Sequence, residues 1–359
     1  MARSLIMDDN QKISVYQGPE NIGGIGRYLA DWLREKKRVE SDFIVYTDHT
    51  NHQNAHENFR LDQTTFIFKI LKKLKFFLFA IKKYDIFNFY FGKTLLPLNL
   101  DLIFLRLLRK KIVMTYVGSD IRLYKLESSR NPEYHLRKPK NIFDHFDHLK
   151  KLRMFWQSLW FDKCIANRDL YFHAAAVINK KKIIEDIWVC NSFDVPESFS
   201  ISQYRDLPLI VHAPTHFATK GTIFVEKAVD NLRKRGYVFE FRLFHKTPSE
   251  EVKKVIKEKA AIVVDQLLSG GFGNLAVEAM SYGKPVCGYI LEDLRTMIPE
   301  LPIVQCTKDN LEEQLAFLLD HPEERERIGR KSHEFARVHF DRDVIFEKMW
   351  NLYLGLLQQ

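Results

Sequence analysis

The sequence predicts two α/β domains in tandem, each built on a parallel sheet. Three observations carry this. Short apolar runs alternate with segments long enough to be helices, the alternation stops at the polar stretch Ser192–Pro208, and it then restarts as strand, loop and helix. A chain of 359 residues is long enough to fill two cores.

Lys12–Tyr16 reads as the first strand, Gly18–Gly26 as a turn-rich loop, and Arg27–Lys36 as a helix with Leu29, Trp32 and Leu33 at helical spacing. Asp42–Tyr46 is the next parallel strand, and Asp85–Tyr90, Lys111–Tyr116 and Ile187–Cys190 are further strand-like runs. Ser192–Pro208 contains two prolines and no long apolar face, which marks it as a linker. Leu209–His212 then begins the second domain as a strand, followed by a loop at Pro214–Gly221. The helix Thr222–Arg235 carries Val225, Ala228, Val229 and Leu232 on one side. Phe239–Phe244 is a strand, Glu250–Glu258 a charged helix and Ala261–Val264 a strand. After a glycine loop come the helix Leu275–Ser281 and the strand Pro285–Ile290. From Asn310 onward the pattern is helical, with Phe340, Ile345, Met349, Leu352 and Leu356 at apolar positions.

Composition narrows the function classes. A hydrophobic fraction of 46% is too high for disorder, and 15 Gly and 12 Pro are too few for a collagen-like or linker protein. Strictly apolar runs such as Phe76–Ile81 fall far short of the roughly 20 residues that span a bilayer. Asp8 and Asp9 near the start argue against a cleaved signal peptide. Four cysteines without a CxxC pair suit a reducing cytoplasm rather than a disulfide framework or zinc site. His49, His52 and His56, and the run Asp144–His148, are polar clusters without a flanking strand to position a metal, so no metal site is expected. A net charge of +9 favours an anionic partner, and no RNA- or DNA-binding motif accompanies it.

Asp265–Tyr289 carries the chemistry. A strand ends at Asp265, and the loop Gly270–Gly273 opens into a helix near Asn274. Glycines there let backbone N–H groups approach an anion, and the helix N-terminus adds partial positive charge. Glu278 stands about one turn in, where nucleotide sites place an acid on the ribose diol. By spacing alone, an ordinary strand–loop–helix turn fits equally well.

Gly271-Phe272-Gly273, Glu278-Ala279-Met280 and Gly283-Lys284-Pro285-Val286 resemble the donor-site signature of the group 1 (family 4-like) retaining glycosyltransferases of GT-B fold. Lys220-Gly221, the loop Gly23–Gly26 and the C-terminal helix Asp341–Leu357 extend the resemblance. It implies an acceptor-binding Rossmann-like domain at 1–196, a donor-binding one at 207–340 facing it across a cleft, and a tail at 341–359 that returns to the first. Lys220 would hold the donor diphosphate, where charge grows on the leaving group. Gly271, Phe272, Gly273, Asn274 and Leu275 would line phosphates and sugar, and Glu278 would hold the ribose. Gly24 and Gly26 would approach the diphosphate from the first domain. Asp120 and Arg122 are the first-domain candidates for touching acceptor or donor sugar, although a capped turn with an Asp–Arg pair fits them as well. Thr215 and His245, at strand ends, would line the donor pocket.

The implied reaction moves a sugar from a UDP- or GDP-sugar to an acceptor hydroxyl with retention, needing neither a metal nor a covalently bound cofactor. The implied acceptor is a glycan or lipid-linked glycan of a cell-surface polysaccharide or glycolipid. Three positions depart from the family pattern. Gly270 stands where a sugar-contacting Glu usually lies, seven intervening residues before the ribose Glu; Val117 replaces a first-domain His, and Thr215 an Arg. A non-catalytic GT-B accessory or scaffold subunit is the rival reading, and the retained Lys220 and Glu278 argue against it.

Phe66–Lys83 is the other informative stretch. Lys69, Lys72, Lys73, Lys75, Lys82 and Lys83 occur without an acid, and Ile70, Leu71, Leu74, Phe77, Leu78 and Ile81 fall at helical spacing. This composition suits an interfacial helix on an anionic membrane, at the inner face for a cytoplasmic enzyme. A core-facing helix with its lysines in water fits the same spacing. Leu102–Lys111 adds a second basic, apolar patch.

Overall fold

The computed structural model describes residues 13–47, 55–136, 146–189, 192–199 and 207–359. They form two compact units. The first comprises Met1–Arg122, His148–Cys190 and Phe346–Gln359; the second comprises Leu123–Asp147 and Asn191–Ile345.

In the first unit the strands are β1 (Ser14–Gly18), β2 (Glu40–Val45), β3 (Glu57–Asn58), β4 (Ile86–Tyr90), β5 (Lys111–Thr115), β6 (Lys163–Ile165) and β7 (Ile183–Ile184). They pair in the order β3-β2-β1-β4-β5-β6-β7, all parallel. β1 and β4 are buried along their whole length. β4, IFNFY, is apolar except at Asn88, as a strand covered on both faces requires, whereas β1, SVYQG, brings Gln17 into the buried sheet. The order reverses between β1 and β4. In open α/β sheets that reversal opens a crevice at the carboxyl ends of the strands.

A polar layer crosses this sheet at its most buried level. Gln17 Oε1 accepts from Asn88 Nδ2 at 2.9 Å and from the Tyr90 hydroxyl at 2.8 Å. Thr115 Oγ1 donates to Asn88 Oδ1 at 2.9 Å. Gln17 Nε2 in turn donates to the Tyr353 hydroxyl at 3.3 Å, which ties in the C-terminal helix Arg342–Leu357. That helix also stacks Phe346 edge-on against Trp32 at 5.9 Å and pairs Glu347 with Lys37 at 2.6 Å. Phe346–Gln359 thus belong to the first unit.

The second unit carries β8 (Leu209–His212), β9 (Glu240–Leu243), β10 (Ala260–Val264), β11 (Val286–Gly288) and β12 (Ile303–Gln305), paired in parallel as β12-β11-β10-β8-β9. Its order reverses between β8 and β10. Residues 123–136 pack with this unit although they follow the first unit in sequence. Asn131 Nδ2 donates to the Leu268 carbonyl at 3.0 Å, and Arg130 pairs with Asp293 at 2.7 Å.

Several expectations need correction. Ile187 and Trp188 are buried but belong to no strand, and Cys190 lies outside the described residues. The strands there are Lys163–Ile165 and Ile183–Ile184, three and two residues long, too short to print a pattern. β12 was likewise unanticipated. The stretch read as a linker is pinned where it is described: Phe193 pairs with Asp341, and Arg342 holds Asp194 at 2.6 Å.

Candidate functional site

The second unit's reversal places two loops side by side. One follows β8 and ends at Lys220, the last residue of a short helix from Phe217. The other follows β10 and runs from Asp265 to Gly273, the N-cap of the helix Asn274–Ser281. The Leu267 N–H donates to the Lys220 carbonyl at 3.1 Å and stitches the loops together.

Asp265 is the centre of this arrangement. Its carboxylate, 1% exposed, accepts from Lys220 Nζ at 2.8 Å and from the Gly273 N–H at 2.8 Å. A Cβ on Gly273 would stand 3.1 Å from Lys220 Nζ, so glycine keeps the ammonium close against the helix start. One buried carboxylate therefore orients both a cation and the positive end of a helix, the two elements from which an anion site is made. Gln266 braces the same loop through Nε2 to the Gly271 carbonyl at 2.6 Å. Sequence reasoning singled out neither Asp265 nor Gln266 as a site residue. The available signal was two polar residues directly after an apolar strand.

One turn along the helix, Glu278 lies with Lys253 Nζ 3.6 Å away. Burial pushes its carboxyl up to about 7, and Lys253 only partly offsets that. A carboxylate held so poorly solvated gains from a hydroxyl donor.

Gly270 has φ +66°, and a Cβ there would meet Leu291 at 2.5 Å. This loop conformation has no room for a larger side chain at that position. Phe272 is buried with its ring 5.8 Å from Phe340. Asn274 is exposed and Leu275 half-buried at the start of the helix. Thr215 and His245 are exposed, the His245 ring lying 4.6 Å from Phe217. His212, by contrast, is a core residue. Burial pushes it down to about 4, and its ring bonds the Val264 carbonyl and Thr222.

The remaining candidates lie in the first unit. Asp120 is buried and turns back on its own loop, accepting from the Gly118 N–H at 2.7 Å and the Val117 N–H at 3.1 Å. Burial raises its carboxyl above the ordinary value while those N–H groups oppose the rise. Arg122 NH2 lies 3.6 Å from Asp169. Gly24 caps the helix Ile25–Lys37 and its N–H donates to Asn21 Oδ1 at 2.9 Å. Gly26 is buried, and a Cβ there would meet the Phe43 ring at 2.5 Å. Among the described residues no cluster of three or more His, Cys, Asp or Glu is placed to hold a metal. His49, His52, Asp144 and His145 lie outside the described residues.

The basic helix forms over Phe66–Lys83. Only Phe76, Phe77 and Ala80 are buried, so most of the face expected to meet a core is open. No described helix is long and apolar enough to cross a membrane.

Two parallel-sheet domains with these reversals and a returning C-terminal helix define the GT-B class of fold, and the comparisons agree. No family model matches the chain. The trehalose synthase of Pyrococcus horikoshii is 28% identical over 153 residues, which cover 42% of this chain and 35% of that protein. The chain thus matches about a third of the length of that curated relative. Among solved structures, sucrose-phosphate synthase from Thermosynechococcus elongatus superposes with a TM-score of 0.64 at 13% identity, covering 97% of this chain and 100% of that one. UDP-GlcNAc 2-epimerase from Neisseria meningitidis, bound to UDP-GlcNAc, superposes with a TM-score of 0.55 at 13% identity, covering 96% and 99%. At these identities the likeness is one of fold.

Proposed function

We propose that the chain is a glycosyltransferase that takes a sugar from a UDP- or GDP-sugar and passes it to an acceptor hydroxyl with retention of configuration. The carrying observation is the grouping of Lys220, the Gly273 N–H and Glu278 at the second unit's strand reversal. The neighbouring fold that holds UDP-GlcNAc, and that of sucrose-phosphate synthase, support the same reading.

In this reading residues 207–340 bind the donor and 1–196 the acceptor, with 341–359 completing the first domain. Lys220, oriented by Asp265, faces the diphosphate and stabilises it as it departs. Glu278 takes the ribose diol, and Gly271, Phe272, Gly273, Asn274 and Leu275 shape the wall, with Thr215 and His245 at its edge. The departing phosphate guides the incoming hydroxyl on the same face of the sugar, without a metal or a protein nucleophile; the protein contributes orientation. Gly24, Gly26, Asp120 and Arg122 form the first-domain side, Asp120 by shaping the turn that carries Arg122. The basic helix rests on the anionic inner face of a membrane, where precursors of surface glycans are found. Incubation with UDP- and GDP-sugars and a panel of glycosylated lipids, read by mass spectrometry and anomeric NMR, tests this. Transfer with an inverted anomer contradicts it.

A further inference from the structure

We propose that a cavity at the first unit's strand reversal binds an amphiphilic acceptor, a lipid whose phosphate lies among basic side chains and whose chain leaves over an apolar rim into the bilayer. The inference deepens the glycosyltransferase reading and rests on it. The cavity measures about 1050 Å3. Its floor is built from the segments just beyond β1, β2 and β4, including Glu20, Thr47 and Gly92. That is where an open α/β sheet presents a ligand crevice.

Four cations line the cavity, with the acids Glu20 and Asp62. Lys69 and Lys73 come from the basic helix, Lys93 from the loop after β4, and Arg153 from the helix Asp147–Ser158. Lys93 is paired with Glu20 at 2.7 Å. Lys69 and Lys73 have no carboxylate partner among the described residues, and Lys73 is only half-exposed, over the Tyr46 ring at 4.8 Å. Burial lowers its pKa, as expected of an ammonium short of counter-charge. Arg153 is already engaged, its guanidinium donating to the Asp120 carbonyl with Nε closed off from the cavity. Two lysines without carboxylate partners leave positive charge for a phosphate to meet in this cavity, beyond the acids Glu20 and Asp62 that also line it.

Apolar side chains open to solvent share the lining. Leu98 is 81% exposed and Leu152 65%, and both line the cavity with Leu149 and Trp156. Trp156 Nε1 donates to the Leu98 carbonyl at 3.1 Å, which ties the two parts of this rim together. The two helices that border the cavity continue the apolar surface, through Phe155 on one and Phe66, Phe68 and Leu71 on the other. Large apolar side chains left in water on both bordering helices mark an interaction surface. A free phosphate uses none of the rim, and a soluble glycan gains nothing from it. A phosphate attached to a hydrocarbon chain uses both kinds of lining, and Lys72, Lys75 and Lys82 of the adjacent helix provide the match to an anionic bilayer that supplies it.

Titration of the full-length protein with farnesyl phosphate, followed by calorimetry without any sugar donor, tests the proposal. Saturable binding at one site is expected. Farnesol and inorganic phosphate should each bind at least about tenfold more weakly, as should farnesyl phosphate to Lys73→Glu and, separately, to Leu152→Asp. Leu152 is exposed, so its variant keeps the fold, and circular dichroism checks both. Equal binding by wild type and both variants, or equal binding of inorganic phosphate, overturns the cavity assignment. The same is true if farnesyl phosphate fails to bind while a nucleotide still stabilises the protein, an outcome that leaves the donor reading standing. Binding of farnesyl phosphate without any nucleotide response supports the cavity and removes the donor reading instead.

Discussion

Glu278 is the residue at which burial and ligand binding oppose each other most directly. Its carboxyl is pushed up to about 7 by burial, against an ordinary value near 4.5. The folded state therefore holds a proton that the unfolded state has released, and the associated stability is fully present below about pH 4.5 and lost as pH rises through 7. Glu278→Gln removes the charged state, so above pH 7 the variant should exceed wild type in stability by about 2–3 kcal/mol, read from urea denaturation at pH 5 and pH 8. A ribose diol donates to the ionised carboxylate, so nucleotide affinity should run the other way, rising about tenfold between pH 6 and pH 8 in wild type and staying flat in the variant. At Gly270 the constraint is steric. Gly270→Ala forces a side chain into the left-handed region and against Leu291, and it should cost about 1–3 kcal/mol in the same denaturation assay. The sequence marked Gly270 as a departure, but only the backbone shows why a larger side chain has no place there. Asp265, which orients Lys220, was equally hidden, because a lone acid at a strand end looks the same whether it meets water or a lysine.

Among the elements, long periodic segments were legible and short ones were not. Phe66–Lys83 forms the helix its spacing indicates, and the runs at Leu209–His212 and Ala261–Val264 become β8 and β10 with little change. β6, β7 and β12 contain three, two and three residues, and their pairing is dictated by neighbours rather than by alternation. The basic helix shows the limit of periodicity. Its spacing is compatible with a core face, yet Ile70, Leu71, Leu74 and Leu78 are exposed. If the helix rests on lipid, reversing Lys72, Lys75 and Lys82 to Glu should abolish sedimentation with vesicles containing anionic lipid, since each lysine contributes about 1 kcal/mol near such a surface. Wild-type binding should also weaken with added salt. Unchanged binding by the triple variant argues that the helix is covered by something other than lipid.

For the whole molecule, the decisive features are the two strand reversals and the C-terminal helix. The tandem α/β organisation was legible because each half carries its own strand–loop–helix start. The allegiance of residues 123–136 to the second unit was not, since it depends on contacts such as Asn131 to Leu268 that leave no trace in local pattern. Phe346 is fully buried against the first unit, and Phe346→Ala should cost about 3–5 kcal/mol, read as a lower urea midpoint. The central claim is that the second unit's reversal binds a nucleoside diphosphate. Its most direct test is the melting temperature of the purified protein with UDP, GDP, ADP and CMP, beside Lys220→Ala and Glu278→Ala. One diphosphate, at about 100 times its dissociation constant, should add about 2.7 kcal/mol of stability to wild type and far less to either variant. A well-folded protein that none of these nucleotides stabilises would contradict the claim and favour a non-catalytic GT-B subunit.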